Sequence, residues 1–183
     1  MTPLPVNEFI IKIASRCNLN CDYCYEYNLG DSTWKRQPPF MSDETIGLAA
    51  SRIAEHARSH RLDRVHIAFH GGEPLLAGPE RIARYAQVLH STIAPHAIPE
   101  FSIQTNGALA DDDVVQVLVR HRIAVGVSID GPKVVNDLHR LDHRARSTFE
   151  ATCKGIEALR SAGVLKGLLS VIDARTDPLE VFD

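Results

Sequence analysis

Residues 16–25 read RCNLNCDYCY and place three of the chain's four cysteines within eight positions, in the spacing C-x3-C-x2-C. Three neighbouring thiolates can bind a metal or an iron–sulfur cluster. They cannot complete the four-ligand shell of a structural zinc ion or of a closed four-iron cluster. No fourth cysteine or histidine lies beside them, since the nearest histidine on the C-terminal side is His56. Three ligands suit a four-iron cluster whose remaining iron is open to a small molecule, and a structural metal site is the alternative.

Composition and charge are those of an ordinary soluble protein. The 183 residues are 44% apolar and 23% charged, with a net charge of −3, which fits a single domain. No strong positive charge invites nucleic acid or an anionic membrane, and no apolar run reaches the roughly 18 residues of a membrane span. Residues 1–5 lack the pattern of a signal peptide. We therefore expect a cytoplasmic protein with no nucleic acid and no membrane as partner, in which reduced cysteines indicate metal chemistry rather than disulfides.

Apolar segments and helical periodicity alternate along the chain. The segments that predict strands are residues 9–14, 65–69, 100–104, 123–129 and 168–172. Helices are predicted to begin near Ser42, Pro79, Asp111 and Ser147, and Ser147 and Glu150 have the spacing of a capping box. This alternation predicts an α/β fold with about five parallel strands and helices outside the sheet.

The last residues predict the start of one more helix. Asp177-Pro178 has the form of an N-cap followed by proline at the first helical position, and the sequence stops at Asp183. Five strands do not close an eight-stranded barrel. We therefore expect residues 1–183 to form one domain, the N-terminal part of an incomplete barrel. A compact five-stranded domain is the alternative.

Polar motifs follow the predicted strands at their carboxyl ends. The cysteines follow the first strand, and His70-Gly71-Gly72-Glu73-Pro74 follows the second. Thr105-Asn106-Gly107 follows the third strand, and Ser128-Ile129-Asp130 follows the fourth. Carboxyl ends of parallel strands meet at one rim of a barrel-like fold, where ligands bind. We therefore expect these motifs to form one site.

The motifs together resemble those of the radical S-adenosylmethionine (radical SAM) superfamily. The three cysteines resemble its cluster motif, residues 71–74 match its GGEP motif, and Ser128 and Asp130 match its ribose-contacting segment. The resemblance implies a partial (βα) radical SAM-type barrel with parallel strands. It also implies an enzyme that binds one [4Fe-4S] cluster and S-adenosylmethionine and generates a radical from them.

The resemblance implies roles for individual residues. The cluster ligands would be Cys17, Cys21 and Cys24. The residues expected to bind S-adenosylmethionine are Tyr23, Gly71, Gly72, Glu73, Pro74, Ser128, Asp130 and Arg140. Glu73 can accept N–H bonds from the ammonium group, and glycines let the backbone approach closely. Ser128 and Asp130 suit ribose hydroxyls, although both residue types are also ordinary at strand ends. Arg140 suits the ligand carboxylate, although it lies in a basic run of the kind that is often a solvated surface.

Several segments resemble a narrower group, the radical SAM/SPASM maturases that act on short ribosomal precursor peptides ending in an FxSxx-type motif. The resemblance is carried by Trp34 and by residues 24–27, 41–46, 52–57, 70–78 and 136–140. The resemblance implies that an aromatic ring of the peptide is joined to a nearby side-chain carbon, with flavodoxin or ferredoxin as reductant. His70 stands where sulfatase-maturing relatives tend to have glutamine, which favours the crosslinking group. His70 and Asn106 are possible substrate-side residues.

Two other functions stay open at this point. The chain could belong to another SPASM-type maturase, such as an anaerobic sulfatase-maturing enzyme, or it could bind a cluster or a peptide without turnover. The relatives continue into further barrel strands and a cysteine-rich SPASM domain, so no catalytic residue is assigned. Trp34, the only tryptophan, is either a surface cover packed on the core or a substrate contact.

Overall fold

The computed structural model describes residues 5–177, 179 and 181. The strands are β1 (Glu8–Ala14), β2 (Arg64–Gly71), β3 (Ile98–Thr105), β4 (Ile123–Ser128) and β5 (Leu165–Leu169). The α-helices are α1 (Asp43–His60), α2 (Pro79–Ile93), α3 (Asp112–Arg120), α4 (Lys133–Asn136) and α5 (Phe149–Ser161). Two short 3-10 helices lie at Thr33–Arg36 and Pro74–Ala77.

The five strands form one sheet in the order β1-β2-β3-β4-β5, and every neighbouring pair is parallel. Strands that follow one another in sequence are therefore neighbours in space, as they are in the wall of a βα barrel. This confirms the predicted α/β fold with parallel strands. The carboxyl ends of all five strands lie along one rim.

The two faces of the sheet differ in their side chains. On one face, Val65, Ile67 and Phe69 of β2 are completely buried and join a core that includes residues of α1, α2, α3 and α5. On the other face, Ala68 lies beside Ser102 of β3 in register, and Ser102 lies beside Ala124 of β4. At these three positions the second face thus carries small side chains that leave room above the sheet. Among the described residues, no helix is long and apolar enough to cross a membrane.

The helix starts at Ser42 and Asp111 agree with the prediction. The side chain of Ser42 accepts a hydrogen bond from Thr45 N at 3.1 Å, and that of Asp111 accepts one from Val114 N at 2.9 Å. Each bond satisfies a backbone N–H that has no partner inside its helix.

The predicted capping box at Ser147 is wrong. Helix α5 begins at Phe149, and its N-cap is Thr148, whose side chain makes no capping bond. Glu150 instead forms an ion pair with Lys133 at 3.4 Å. The four-residue α4, from which Lys133 reaches, was not predicted, and one turn is too short to show helical periodicity.

The fifth strand was predicted at 168–172 and lies at Leu165–Leu169. Its pairing partners are residues 125–128 of β4, so backbone hydrogen bonds set its position. The apolar side chains that suggested the later range are exposed: Leu168 is 56% and Ile172 62% exposed. Apolar character therefore does not mark the strand here. Of the helix expected to start at Pro178, only residues 179 and 181 are described; both are helical, and Leu179 N donates to the predicted N-cap residue at Asp177 Oδ1, 2.9 Å away.

Candidate cofactor-binding site

A cavity of about 230 Å³ lies at the carboxyl ends of β1 to β4. It collects eleven of the thirteen side chains or backbone segments that the sequence singled out: Cys17, Cys21, Tyr23, Cys24, His70, Gly71, Gly72, Glu73, Asn106, Ser128 and Arg140. We call it the cofactor cavity. The remaining two, Pro74 and Asp130, do not line it. Residues from four different βα connections thus meet at one place, as the strand-end motifs predicted.

The three cysteines of the loop after β1 fit an iron–sulfur cluster by their chemistry. All are free and partly buried, and all line the same cavity. Burial raises the pKa of Cys17 to about 12, although Leu19 N donates a hydrogen bond to its sulfur at 3.4 Å. Burial also raises the pKa of Cys21, against the opposing charge of Arg140. A cationic partner is what such thiols need in order to ionise, and iron supplies it.

A single metal ion needs its protein ligands gathered around one point. Within the residues that the structure describes, no group of three or more His, Cys, Asp or Glu side chains is spaced to hold one ion. A four-iron cluster distributes its cysteine ligands over separate irons, so its ligands stand further apart than those of one zinc.

The glycine pair after β2 is required by the backbone that runs beside it. Gly71 has φ +142°, and a Cβ there would collide with the carbonyl oxygen of Ala14. A Cβ on Gly72 would collide with the carbonyl oxygen of Arg16. Gly72 N donates to Ala14 O at 3.0 Å, and Glu73 N donates to Arg16 O at 2.8 Å. The pair therefore joins the end of β2 to the start of the cysteine loop, besides exposing backbone to the cavity.

Glu73 is 1% exposed, and protein donors occupy both of its carboxylate oxygens. Oε1 accepts from Leu75 N at 2.8 Å and from Thr105 Oγ1 at 2.7 Å, and Oε2 accepts from Asn106 N at 2.8 Å. Burial raises the pKa of Glu73, while these donors and Arg140 act in the opposite direction. The carboxylate thus ties the end of β2 to the end of β3, in addition to lining the cavity.

Asp130 and Pro74 lie beside the cavity rather than in its wall. Asp130 is 1% exposed; its Oδ2 accepts from Tyr23 Oη at 2.6 Å, and its Oδ1 accepts from Val171 N at 3.1 Å. Arg140 Nη1 donates to Tyr23 Oη at 2.8 Å. Asp130, predicted to contact ribose, is therefore placed where it fixes Tyr23 and Arg140, which do line the cavity. Pro74 is buried at the start of a 3-10 helix.

Sequence reasoning missed His139, which joins three segments around the site. Its Nδ1 lies 2.8 Å from Asp22 of the cysteine loop, and its Nε2 lies 3.0 Å from Asp173, which follows β5. Its ring lies 5.6 Å from the ring of Tyr23, centroid to centroid. The sequence signals were its position next to Arg140 and its place in the segment 136–140 that resembles the peptide maturases.

Gln104 was also missed, although it lies one position before the Thr105-Asn106-Gly107 motif. Its Nε2 donates to Ser128 Oγ at 2.8 Å across β3 and β4. A Cβ on Gly126 would collide with Gln104 Oε1, so the glycine gives the amide room to lie across the strand. Ser128 is thereby held in a fixed orientation at the cavity.

The two possible substrate-side residues are placed differently. His70 lines the cavity, and its buried Nδ1 has no hydrogen-bond partner in the described part of the chain. Asn106 Nδ2 donates to Asn18 Oδ1 at 2.8 Å, within the cysteine loop. His70 therefore has an uncommitted polar atom, whereas the amide of Asn106 is already bonded to the loop.

The parallel sheet brings a three-cysteine loop, a glycine pair and an acidic residue together at one rim. This arrangement suits a protein that binds an open iron–sulfur cluster beside a small cationic cosubstrate. The comparisons with known proteins agree. The chain belongs to the Radical SAM superfamily, whose family model matches residues 11–177. Membership implies a [4Fe-4S] cluster and S-adenosylmethionine as cofactors, and the residues of the cofactor cavity fit both.

Similar proteins include enzymes that modify sulfatases. The cysteine-type anaerobic sulfatase-maturating enzyme of Clostridium perfringens is 31% identical over 172 residues, covering 94% of this chain and 45% of the relative. The serine-type enzyme of Klebsiella aerogenes is 31% identical over 172 residues, covering 93% and 41%. The solved structure of native anSMEcpe with bound AdoMet and Cp18Cys peptide has a TM-score of 0.83 at 28% identity, covering 98% and 47%. The chain thus spans less than half the length of these relatives.

Proposed function

We propose that this chain is the cofactor-binding core of a radical SAM enzyme that modifies a ribosomal precursor peptide by crosslinking an aromatic ring to a nearby side-chain carbon. The observation that carries the proposal is the convergence of Cys17, Cys21 and Cys24 with the Gly71-Gly72 backbone and Arg140 on one cavity. Residues 1–183 form one domain in this proposal, acting in the cytoplasm with flavodoxin or ferredoxin as reductant.

The residues of the cavity divide the work of binding. The three thiolates hold the cluster, which when bound supplies the electron that cleaves S-adenosylmethionine to a hydrogen-abstracting 5′-deoxyadenosyl radical. Arg140, 7% exposed and bonded to Tyr23, presents a positive charge for the ligand carboxylate. Gly71 and Gly72 offer backbone groups at close range, and Ser128 offers a hydroxyl for ribose.

A peptide is the substrate class that the relatives support, since one of them was solved with a bound peptide. Crosslinking, as opposed to another peptide modification, is supported by the FxSxx-type resemblance and by His70 with its uncommitted Nδ1. The second candidate is maturation of a sulfatase cysteine or serine. The 31% identity to sulfatase-maturating enzymes favours that candidate.

The two candidates leave different products. The anaerobically reconstituted chain is incubated with reductant, S-adenosylmethionine and either an FxSxx-type peptide or a sulfatase-type cysteine peptide. Crosslinking removes two hydrogen atoms, forms no aldehyde and blocks backbone fragmentation between the joined residues. Sulfatase-type oxidation produces an aldehyde that reacts with hydrazine reagents. Tandem mass spectrometry that finds a hydrazine-reactive product and no crosslink would contradict the first proposal, and release of 5′-deoxyadenosine without either product would contradict both.

A further inference from the structure

A second cavity, of about 460 Å³, lies beside the cofactor cavity at the edge of β1 that faces away from β2. We call it the aromatic cavity, since Tyr25, Tyr27, Trp34 and Phe40 line it. The segment Tyr25-Glu26-Tyr27 lines both cavities and forms the wall between them. The volume is in the range of sites that bind small ligands or single side chains with their backbone.

Hydrogen bonds and ring contacts hold the wall of the aromatic cavity in place. Arg16 Nη1 donates to Trp34 O at 2.8 Å and to Ser15 O at 2.9 Å, and Nη2 donates to Gln37 O at 3.2 Å. The guanidinium carbon lies 5.1 Å from the Trp34 ring centroid. The Tyr27 and Trp34 rings meet edge to face at 4.9 Å. Arg16, the residue before the first cysteine, thus connects residues 33–37, which we call the tryptophan loop, to the cysteine loop.

Three charged side chains line the aromatic cavity: Lys12, Glu26 and Asp31. Lys12 pairs with Glu26 across the wall. The carboxylate of Asp31 accepts from Thr33 N at 2.8 Å and from Thr33 Oγ1 at 3.0 Å. Those donors are uncharged, so the lining keeps a net negative charge at Asp31, which disfavours an anionic ligand and leaves an uncharged one suited to the cavity.

Two residues that line the aromatic cavity each carry a polar atom without a partner in the described part of the chain. Trp34 Nε1 and Tyr27 Oη are buried, and within the described residues neither makes a hydrogen bond. An indole N–H can only donate, so its complement is an acceptor such as a carbonyl oxygen. An unpaired buried donor costs free energy that a ligand carbonyl would recover.

We propose that the aromatic cavity binds an aromatic side chain of the peptide substrate together with the backbone carbonyl next to it, an inference that rests on the proposed function for the identity of the ligand as a peptide. Aromatic rings favour the edge-to-face contacts that Tyr25, Tyr27 and Phe40 offer. The segment Tyr25-Glu26-Tyr27 then lies between the bound aromatic residue and the cofactor cavity. The aromatic cavity thereby selects which part of the peptide faces the radical.

Trp34 is the only tryptophan of the chain, so its emission reports occupancy of the aromatic cavity. The 183-residue chain, without cluster or cosubstrate, is titrated with acetyl-Gly-Phe-Gly-Ser-Gly-amide and with the same peptide carrying Ala for Phe. We expect a saturable emission change with the first peptide and at least about tenfold weaker binding of the second. Tyr25→Ala, which removes a 65% exposed wall residue, should weaken binding; Leu48→Ala, a similarly exposed site outside both cavities, should not.

The indole N–H is tested separately with a fluorescein-labelled Phe peptide and anisotropy. Trp34→Phe keeps a ring and loses the donor, so we expect affinity to fall about three- to tenfold. No saturable emission change, or equal binding of the Phe and Ala peptides, would overturn the inference. Because this titration needs neither cluster nor turnover, its failure with retained 5′-deoxyadenosine formation would leave the proposed function intact.

Discussion

Replacing Glu73 by glutamine tests whether the carboxylate organises the rim of the sheet. The carboxylate accepts three hydrogen bonds, two at Oε1 and one at Oε2. A glutamine keeps at most two of them, because its NH₂ group must face either Asn106 N–H or the donors of Leu75 and Thr105. A hydrogen bond to a charged group contributes about 1.5–3 kcal/mol. Relief of the buried charge offsets part of that loss, so we expect Glu73→Gln to lower the free energy of unfolding by about 2 kcal/mol.

The assay is urea unfolding of the chain without cofactors, followed by circular dichroism. Glu55→Gln is the matched control, because Glu55 is exposed and its pair with Arg52 spans only one helical turn; we expect a change within about 0.5 kcal/mol. Binding of S-adenosylmethionine to the reconstituted chain is measured in parallel. If Glu73→Gln unfolds like the control while its ligand affinity collapses, the carboxylate serves the ligand and not the rim, and the structural reasoning is refuted.

Further predictions concern backbone geometry and pH. Gly71→Ala should destabilise the chain by about 3 kcal/mol or more, because the new Cβ would collide with backbone at a residue whose φ is +142°. In the control Gly47→Ala in α1, the new Cβ meets no atom within 4 Å, so this variant should be more stable by about 0.5–1 kcal/mol. Urea unfolding midpoints compare the two variants. Desolvation lowers the pKa of His139, but Asp22 and Asp173 outweigh it and raise that pKa above its ordinary value. Stability from this pairing is therefore complete below about pH 6.5 and lost as the pH rises through the folded pKa. His139→Gln should flatten that decline, and an equally steep decline in the variant would contradict the assignment.

The main elements of the fold follow from local patterns in the sequence. In residues 65–69 every second side chain is large and apolar, and these are the side chains buried on the face that the helices cover. Motifs at the carboxyl ends of parallel strands had to lie along the same rim. β5 was misplaced because its edge is exposed, so its side chains carry no burial pattern. Sequence periodicity locates a strand when one face of the strand is buried, and it fails when both faces are exposed.

The sequence predicts which residues belong to the site better than it predicts their contacts. Three cysteines and a glycine pair indicate their chemistry by type and spacing. The bond between Tyr23 and Asp130 joins residues 107 positions apart, and His139 reaches Asp22 across 117 positions. Nothing in local sequence encodes such pairs, since they depend on how the connections after β1 and β4 fold over the same rim. The same holds for Arg16, whose acceptors lie in the tryptophan loop.

The central claim is that Cys17, Cys21 and Cys24 hold a cluster that cleaves S-adenosylmethionine, and release of 5′-deoxyadenosine measures it most directly. The chain is reconstituted with iron and sulfide without oxygen, reduced with dithionite in the presence of S-adenosylmethionine, and the products are separated by liquid chromatography. We predict about four iron atoms per chain and 5′-deoxyadenosine from the unaltered chain and from Cys153→Ala, whose thiol lies on α5 outside the cavity. Each single alanine variant of the three loop cysteines should lose the product. One equivalent of zinc without iron, or product that persists in those three variants, would contradict the account.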